Sequence, residues 1–98
     1  MRHYVMIQRP SLPNDLRAAM SRLEGKTAQE LISEYNEQCR LGFTGVYAQA
    51  IHVLALHQQL KARFGKGPLV IENNVLLTME GPIEWSHGDW CQCSPHSS

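Results

Sequence analysis

The sequence predicts an α+β fold of order β-α-α-α-β-β, with a small antiparallel three-stranded sheet packed on a helical layer. Three observations carry that prediction. Residues 27–41 open on a helix-capping pattern and repeat apolar side chains at helical spacing, residues 46–60 are apolar at ten of fifteen positions, and two strand-forming runs flank Asn73-Asn74. With 98 residues, 43% of them hydrophobic and 18% charged, the chain is expected to form one domain around one modest core. That domain is assigned to residues 1–85, and residues 86–98 to a flexible polar C-terminal tail.

The first element is a strand over His3–Gln8, because Tyr4, Val5 and Ile7 favour extended backbone and Pro10 ends the ladder. Its apolar residues fall on both faces, which predicts a strand covered on both sides, placed centrally, or meeting a second subunit. Ser11 and Pro13 start a short helix carrying Leu16, Ala19, Met20 and Leu23, and Gly25 stops it. A second helix starts at Thr27-Ala28-Gln29-Glu30, where the Thr hydroxyl and the Glu carboxylate each satisfy the other's exposed backbone donor. It runs to about Leu41, with Ala28, Leu31, Ile32, Tyr35 and Cys39 inward and Glu30, Glu34 and Glu37 outward.

Gly42 closes that helix, Thr44 is the expected cap of the next, and helix three extends from about Gly45 to Phe64 before Gly65. Gln49, His52, Gln59 and Arg63 form its narrow polar stripe, so most of its circumference needs covering, by the rest of the chain or by a dimer partner. Pro68–Glu72 and Val75–Glu80 read as strands joined through Asn73-Asn74, which tolerate the positive φ angles of a tight hairpin. Gly81-Pro82 ends the second, and the order of the three strands is left open. Trp85 is expected to seal the core edge and Trp90 to be exposed.

Nine basic and nine acidic residues give zero formal charge, which removes the general electrostatic case for nucleic-acid or membrane binding. The basic residues all lie within residues 1–71, against five acidic ones there, and residues 72–98 carry four acidic residues and no Lys or Arg. Cys39, Cys91 and Cys93 do not form the even, spaced set of a disulfide framework, and no secretory signal is legible, so cytoplasmic residence is expected. The uncharged stretch Gly42–Leu60 is broken by glutamines and histidines, which excludes a membrane span.

The chemistry-bearing residues are few. His87, Asp89, Cys91, Cys93 and His96 crowd into ten residues, but lack the paired Cys-x2-Cys segments of a structural zinc site, so no metal is assigned. His57 falls on the apolar arc of helix three, where a hydrogen-bonded core histidine is the ordinary outcome. A Cys39–His57 nucleophile pair would need both side chains in one interior space, and Cys39 also simply completes an apolar stripe. No glycine-rich phosphate loop is present, and neither a cofactor nor a catalytic set is assigned.

Two binding expectations remain. The first is a non-enzymatic protein-binding or adaptor module, bacterial or phage on grounds of size alone and homodimeric, with partner contacts at Glu30, Glu34, Glu37 and Trp90. The alternative is a small nucleic-acid-binding regulator using Arg9, Arg17, Arg22, Lys61, Arg63 and Lys66. A helix-turn-helix over residues 27–64 suits it poorly, since the second helix offers few side chains for base edges.

Overall fold

A computed structural model describes residues 2–93, and the architecture is the expected α+β class. The elements are β1 (His3–Val5), α1 (Leu12–Leu23), α2 (Ala28–Leu41), α3 (Tyr47–Phe64), β2 (Leu69–Glu72), β3 (Leu76–Met79), β4 (Ile83–Ser86) and β5 (Asp89–Gln92). One antiparallel sheet has the order β1-β3-β2, and β4 and β5 form a separate antiparallel hairpin. None of the helices is long and apolar enough to cross a membrane.

Local sequence sets most of the boundaries. The Thr27–Glu30 capping box forms in full, with Glu30 N–H donating to Thr27 Oγ1 at 3.1 Å and Thr27 N–H donating to Glu30 Oε1 at 2.8 Å. Gly65 takes the left-handed φ of 79° that closes α3. Asn73 and Asn74, with φ of 52° and 60°, make the tight turn between β2 and β3. One start differs from expectation. Thr44 does not cap α3, whose N-cap is Val46 without a side-chain bond; instead Thr44 N–H and Oγ1–H both donate to Gln49 Oε1, at 2.9 and 3.1 Å. Gln49 then donates to the Gly42 carbonyl and to Gln38, so one amide organises the whole α2–α3 connection.

Helix α3 is the centre of the core. Ala50, Ile51, Val53, Leu54, Ala55, Leu56, His57, Gln59 and Leu60 are all buried. The chain covers this helix with its own elements, so its hydrophobicity needs no second subunit. Its polar stripe ties it to its neighbours. Tyr47 Oη donates to Asp15 at 2.9 Å, Gln59 to the Met20 carbonyl at 3.0 Å and Arg63 to the Glu24 carbonyl at 3.3 Å, so α1 lies alongside α3 in the same direction. Gln38 meets Gln49, and Glu34 meets His52, which sets α2 antiparallel to α3.

The sheet places Leu69, Leu77 and Met79 against the helices and turns His3, Val5, Val70 and Thr78 outward. Strand β1 is shorter than the His3–Gln8 run suggests, and it is an edge, not a central strand covered on both sides. Met6 is buried while Val5 and Ile7 are 64% and 62% exposed.

The largest departure lies after Gly81. Residues 86–92, expected to begin a flexible tail, instead turn back on Ile83–Trp85 as the hairpin of β4 and β5, with Trp85 opposite Trp90 and Ser86 opposite Asp89. His87 and Gly88 take φ of 53° and 80°, the same left-handed pair that turns the first hairpin. Asn36 anchors the hairpin to α2: its Nδ2 donates to the Ile83 carbonyl at 2.7 Å, and Ile83 N–H donates to its Oδ1 at 2.8 Å.

Candidate functional site

The open edge of β1 is the first candidate. Tyr4 stands opposite Leu77, Met79 N–H donates to the Arg2 carbonyl and Met6 N–H donates to the Val75 carbonyl, so alternate residues of β1 face β3. By the antiparallel pattern, the N–H and C=O groups of His3 and Val5 point away from the sheet. The ring of Tyr4 lies 5.6 Å from that of Phe43, and the Arg9 guanidinium stacks 3.9 Å over Tyr47. Segments 2–9 and 40–47 therefore run side by side, and they carry four of the six exposed large hydrophobics among the described residues: Val5, Ile7, Leu41 and Val46.

A cavity of about 370 Å³ opens at the Arg2 end of this edge, lined by Arg2, Asn36, Cys39, Arg40, Met79 and Pro82 among others. Cys39 is half-buried there, and burial pushes its thiol pKa up, which keeps it a neutral, poor nucleophile. His57 lines a different cavity of about 400 Å³, between α3 and the β2–β3 turn. Cys39 and His57 thus do not share a pocket.

His57 is 6% exposed, and its Nδ1 accepts the Leu69 N–H at 3.0 Å. Burial, with Lys61 adding to it, pushes the ring's pKa down to about 4, so the imidazole is neutral near pH 7. A neutral ring whose Nδ1 is the acceptor carries its proton on Nε2. Gly67 packs directly against this ring, where a Cβ would overlap Cε1 and Nδ1.

The acidic row on α2 is engaged within the chain. Glu30 belongs to the capping box, and its hydrogen bonds from Thr27 hold its carboxyl below the usual range. Glu34 meets Lys26 Nζ at 3.0 Å and His52 Nε2 at 3.5 Å. Glu37 pairs with Arg40, whose Nε donates to it at 3.0 Å, and this hydrogen bonding lowers the Glu37 pKa. Trp90 is the reverse of expectation: it is 7% exposed, and its Nε1–H donates to the Lys66 carbonyl at 3.1 Å. Trp85 is the exposed member of the pair at 39%, resting edge-on against Phe64. The turn at His87-Gly88 causes the exchange by folding Trp90 back onto the core.

The basic residues do not gather in one place. Arg9 stacks at the N-terminal end of α3, whereas Lys61 and Arg63 lie in its last turn, roughly 24 Å away at 1.5 Å per residue. Arg22 lines a third cavity with Asp15 and Tyr47, and Arg17 is exposed on α1. Lys66 is drawn to Asp89 at 3.3 Å and lies over the Trp90 ring at 4.7 Å.

The C-terminal ligand candidates are also dispersed. His87 sits in the turn, Asp89 takes the Trp90 N–H and Lys66, and Cys91 lies 3.7 Å from Glu84; His96 is outside the described residues. Among the described residues no group of three His, Cys, Asp or Glu side chains is placed to hold a metal ion.

Asn36, Gln49 and Gly67 had no signal in the sequence, since their roles depend on partners distant along the chain. The second hairpin did have one, in the Trp85-Ser86-His87-Gly88-Asp89-Trp90 sequence, where an aromatic pair brackets a glycine-containing turn. Comparison with known proteins finds no matching family model, no matching curated protein and no matching solved structure.

Proposed function

We propose that this protein is a non-enzymatic protein-binding module that pairs through the open edge of β1, with a second copy of itself as the partner. The observation that carries the reading is the coincidence of that edge with exposed Val5, Ile7, Leu41 and Val46. Unpaired strand edges that keep exposed apolar side chains are templates for strand addition, whereas proteins that stay apart protect them with charge, proline or a covering element. Residues 3–7 contain no Lys, Arg, Asp or Glu, so two antiparallel copies of the segment place no formal charges opposite each other within it. The apolar surface of α3 no longer supports dimerisation, because the chain itself covers it.

The test is solution mass by light scattering across a dilution series under reducing conditions, for the natural chain and for Val5→Lys/Ile7→Lys. A dimer that the double substitution converts into a folded monomer is the expected result. A monomer at every concentration, or a dimer indifferent to the substitutions, would remove the β1 pairing.

A further inference from the structure

We infer that the cleft between α3 and the β2–β3 turn binds a small ligand through an oxyanion, a carboxylate or a phosphate, held by His57 Nε2–H and the Lys61 ammonium. The inference is independent of the β1 edge and lies on another part of the molecule.

It starts from an accounting of one imidazole. His57 is more than nine-tenths buried, and its Nδ1 is taken by Leu69 N–H. The described residues supply no hydrogen-bond partner for Nε2, yet no side-chain nitrogen or oxygen among them is both fully buried and unpaired. Nε2 therefore keeps some exposed surface, and the cavity that His57 lines among the described residues is the one of about 400 Å³. The Leu69 bond also fixes the tautomer, so that Nε2 presents a proton there.

The neighbours decide the sign of the ligand. Lys61 lies one helical turn from His57 and lines the same cavity, with Gln58 and Asn74 beside them. Lys61 offers only donors, and neutral His57 offers a donor at its free nitrogen; among the described residues no Asp or Glu lines the cavity. Gln58 and Asn74 can adapt as donors. Such a set is complementary to an acceptor carrying negative charge. The volume lies within the range of roughly 300–1,000 Å³ typical of small-molecule sites, so it admits more than a bare ion. Leu69 and Ile71 provide apolar wall for the remainder of the ligand.

Lys61 adds to burial in lowering the pKa of the ring. A bound oxyanion stabilises the imidazolium and so raises the pH at which His57 titrates.

The experiment is ring ¹⁵N–¹H NMR of the full chain at constant ionic strength, titrated separately with inorganic phosphate, acetate and chloride. Saturable movement of the His57 Nε2 signal with phosphate or acetate, absent with chloride, is expected, together with an upward shift of its titration midpoint. Whichever anion saturates names the group. Lys61 is exposed, so Lys61→Gln should fold normally and weaken the binding tenfold or more. If neither anion moves His57 beyond the chloride control, or if Lys61→Gln leaves the affinity unchanged, the site is not there.

Discussion

The Nδ1 atom of His57 accepts the backbone N–H of Leu69 at 3.0 Å, joining the middle of the central helix to the first residue of β2. The bond needs the neutral ring, because protonation would turn the acceptor into a donor facing a donor. Stability should therefore depend on pH through this residue. Its folded pKa of about 4 lies below the ordinary histidine value of 6.5, so between those values the unfolded chain binds a proton that the folded chain does not. The contribution is complete above pH 6.5 and is lost as the pH falls toward 4, reaching about 3 kcal/mol. Urea unfolding between pH 4 and 7.5, compared with His57→Gln, should show a steeper acid loss in the natural chain.

Gly67→Ala should act on the same bond from the opposite side. A Cβ at position 67 overlaps the His57 ring, so either the ring leaves Leu69 or the connection between α3 and β2 moves. A loss of about 2–3 kcal/mol is expected, the cost of overpacking together with a buried donor left unpaired. The Gly25→Ala substitution is a control, since nothing lies within 4 Å of a Cβ there. The urea midpoints of the two variants test this directly.

Asn36→Ala should loosen the second hairpin without unfolding the helices. The side chain serves both backbone groups of Ile83, so its removal leaves a donor and an acceptor unmatched and costs about 2 kcal/mol. Trp90 reports the event, because it is buried by the hairpin while Trp85 is already partly exposed. Acrylamide should quench one tryptophan of the natural chain well and the other poorly, and quench both in the variant.

Val5→Pro separates the edge from the sheet behind it. The Val5 N–H points away from β3, so its removal leaves the ladder bonds of Arg2, Tyr4 and Met6 in place. The variant should stay folded by circular dichroism and lose self-association in light scattering. Retained association would place the contact elsewhere.

Thr27→Ala should cost about 1 kcal/mol, since it removes one half of the capping box and leaves Glu30 N–H without its acceptor. Thr27→Ser should restore most of that stability. Thermal unfolding of both variants distinguishes loss of the cap from a general effect of substitution.

The amino-acid sequence alone determined the features that short-range chemistry controls. Thr27 with Glu30 set the start of α2, Gly65 the end of α3, and Asn73-Asn74 the first hairpin, because capping bonds and positive φ angles involve only a few consecutive residues. The class of the fold followed from hydrophobic periodicity. The candidate sites were less legible. His57 stood out as a histidine on an apolar arc, but its Leu69 partner, its free Nε2 and its cavity depend on how the 65–68 connection returns across α3. Likewise, Glu30, Glu34 and Glu37 look like a free acidic row until Thr27, Lys26, His52 and Arg40 are placed beside them.

Only the tertiary structure decided that β3 is central and β1 is an edge, that the chain covers α3 without a partner, and that Trp90 is buried and Trp85 exposed. Residues 3–5 meet residues 76–78 across most of the chain, and Asn36 meets Ile83 across 47 positions. Pairings of that kind are chosen by the geometry of the whole core, where each element's burial depends on all the others, and no local pattern encodes them.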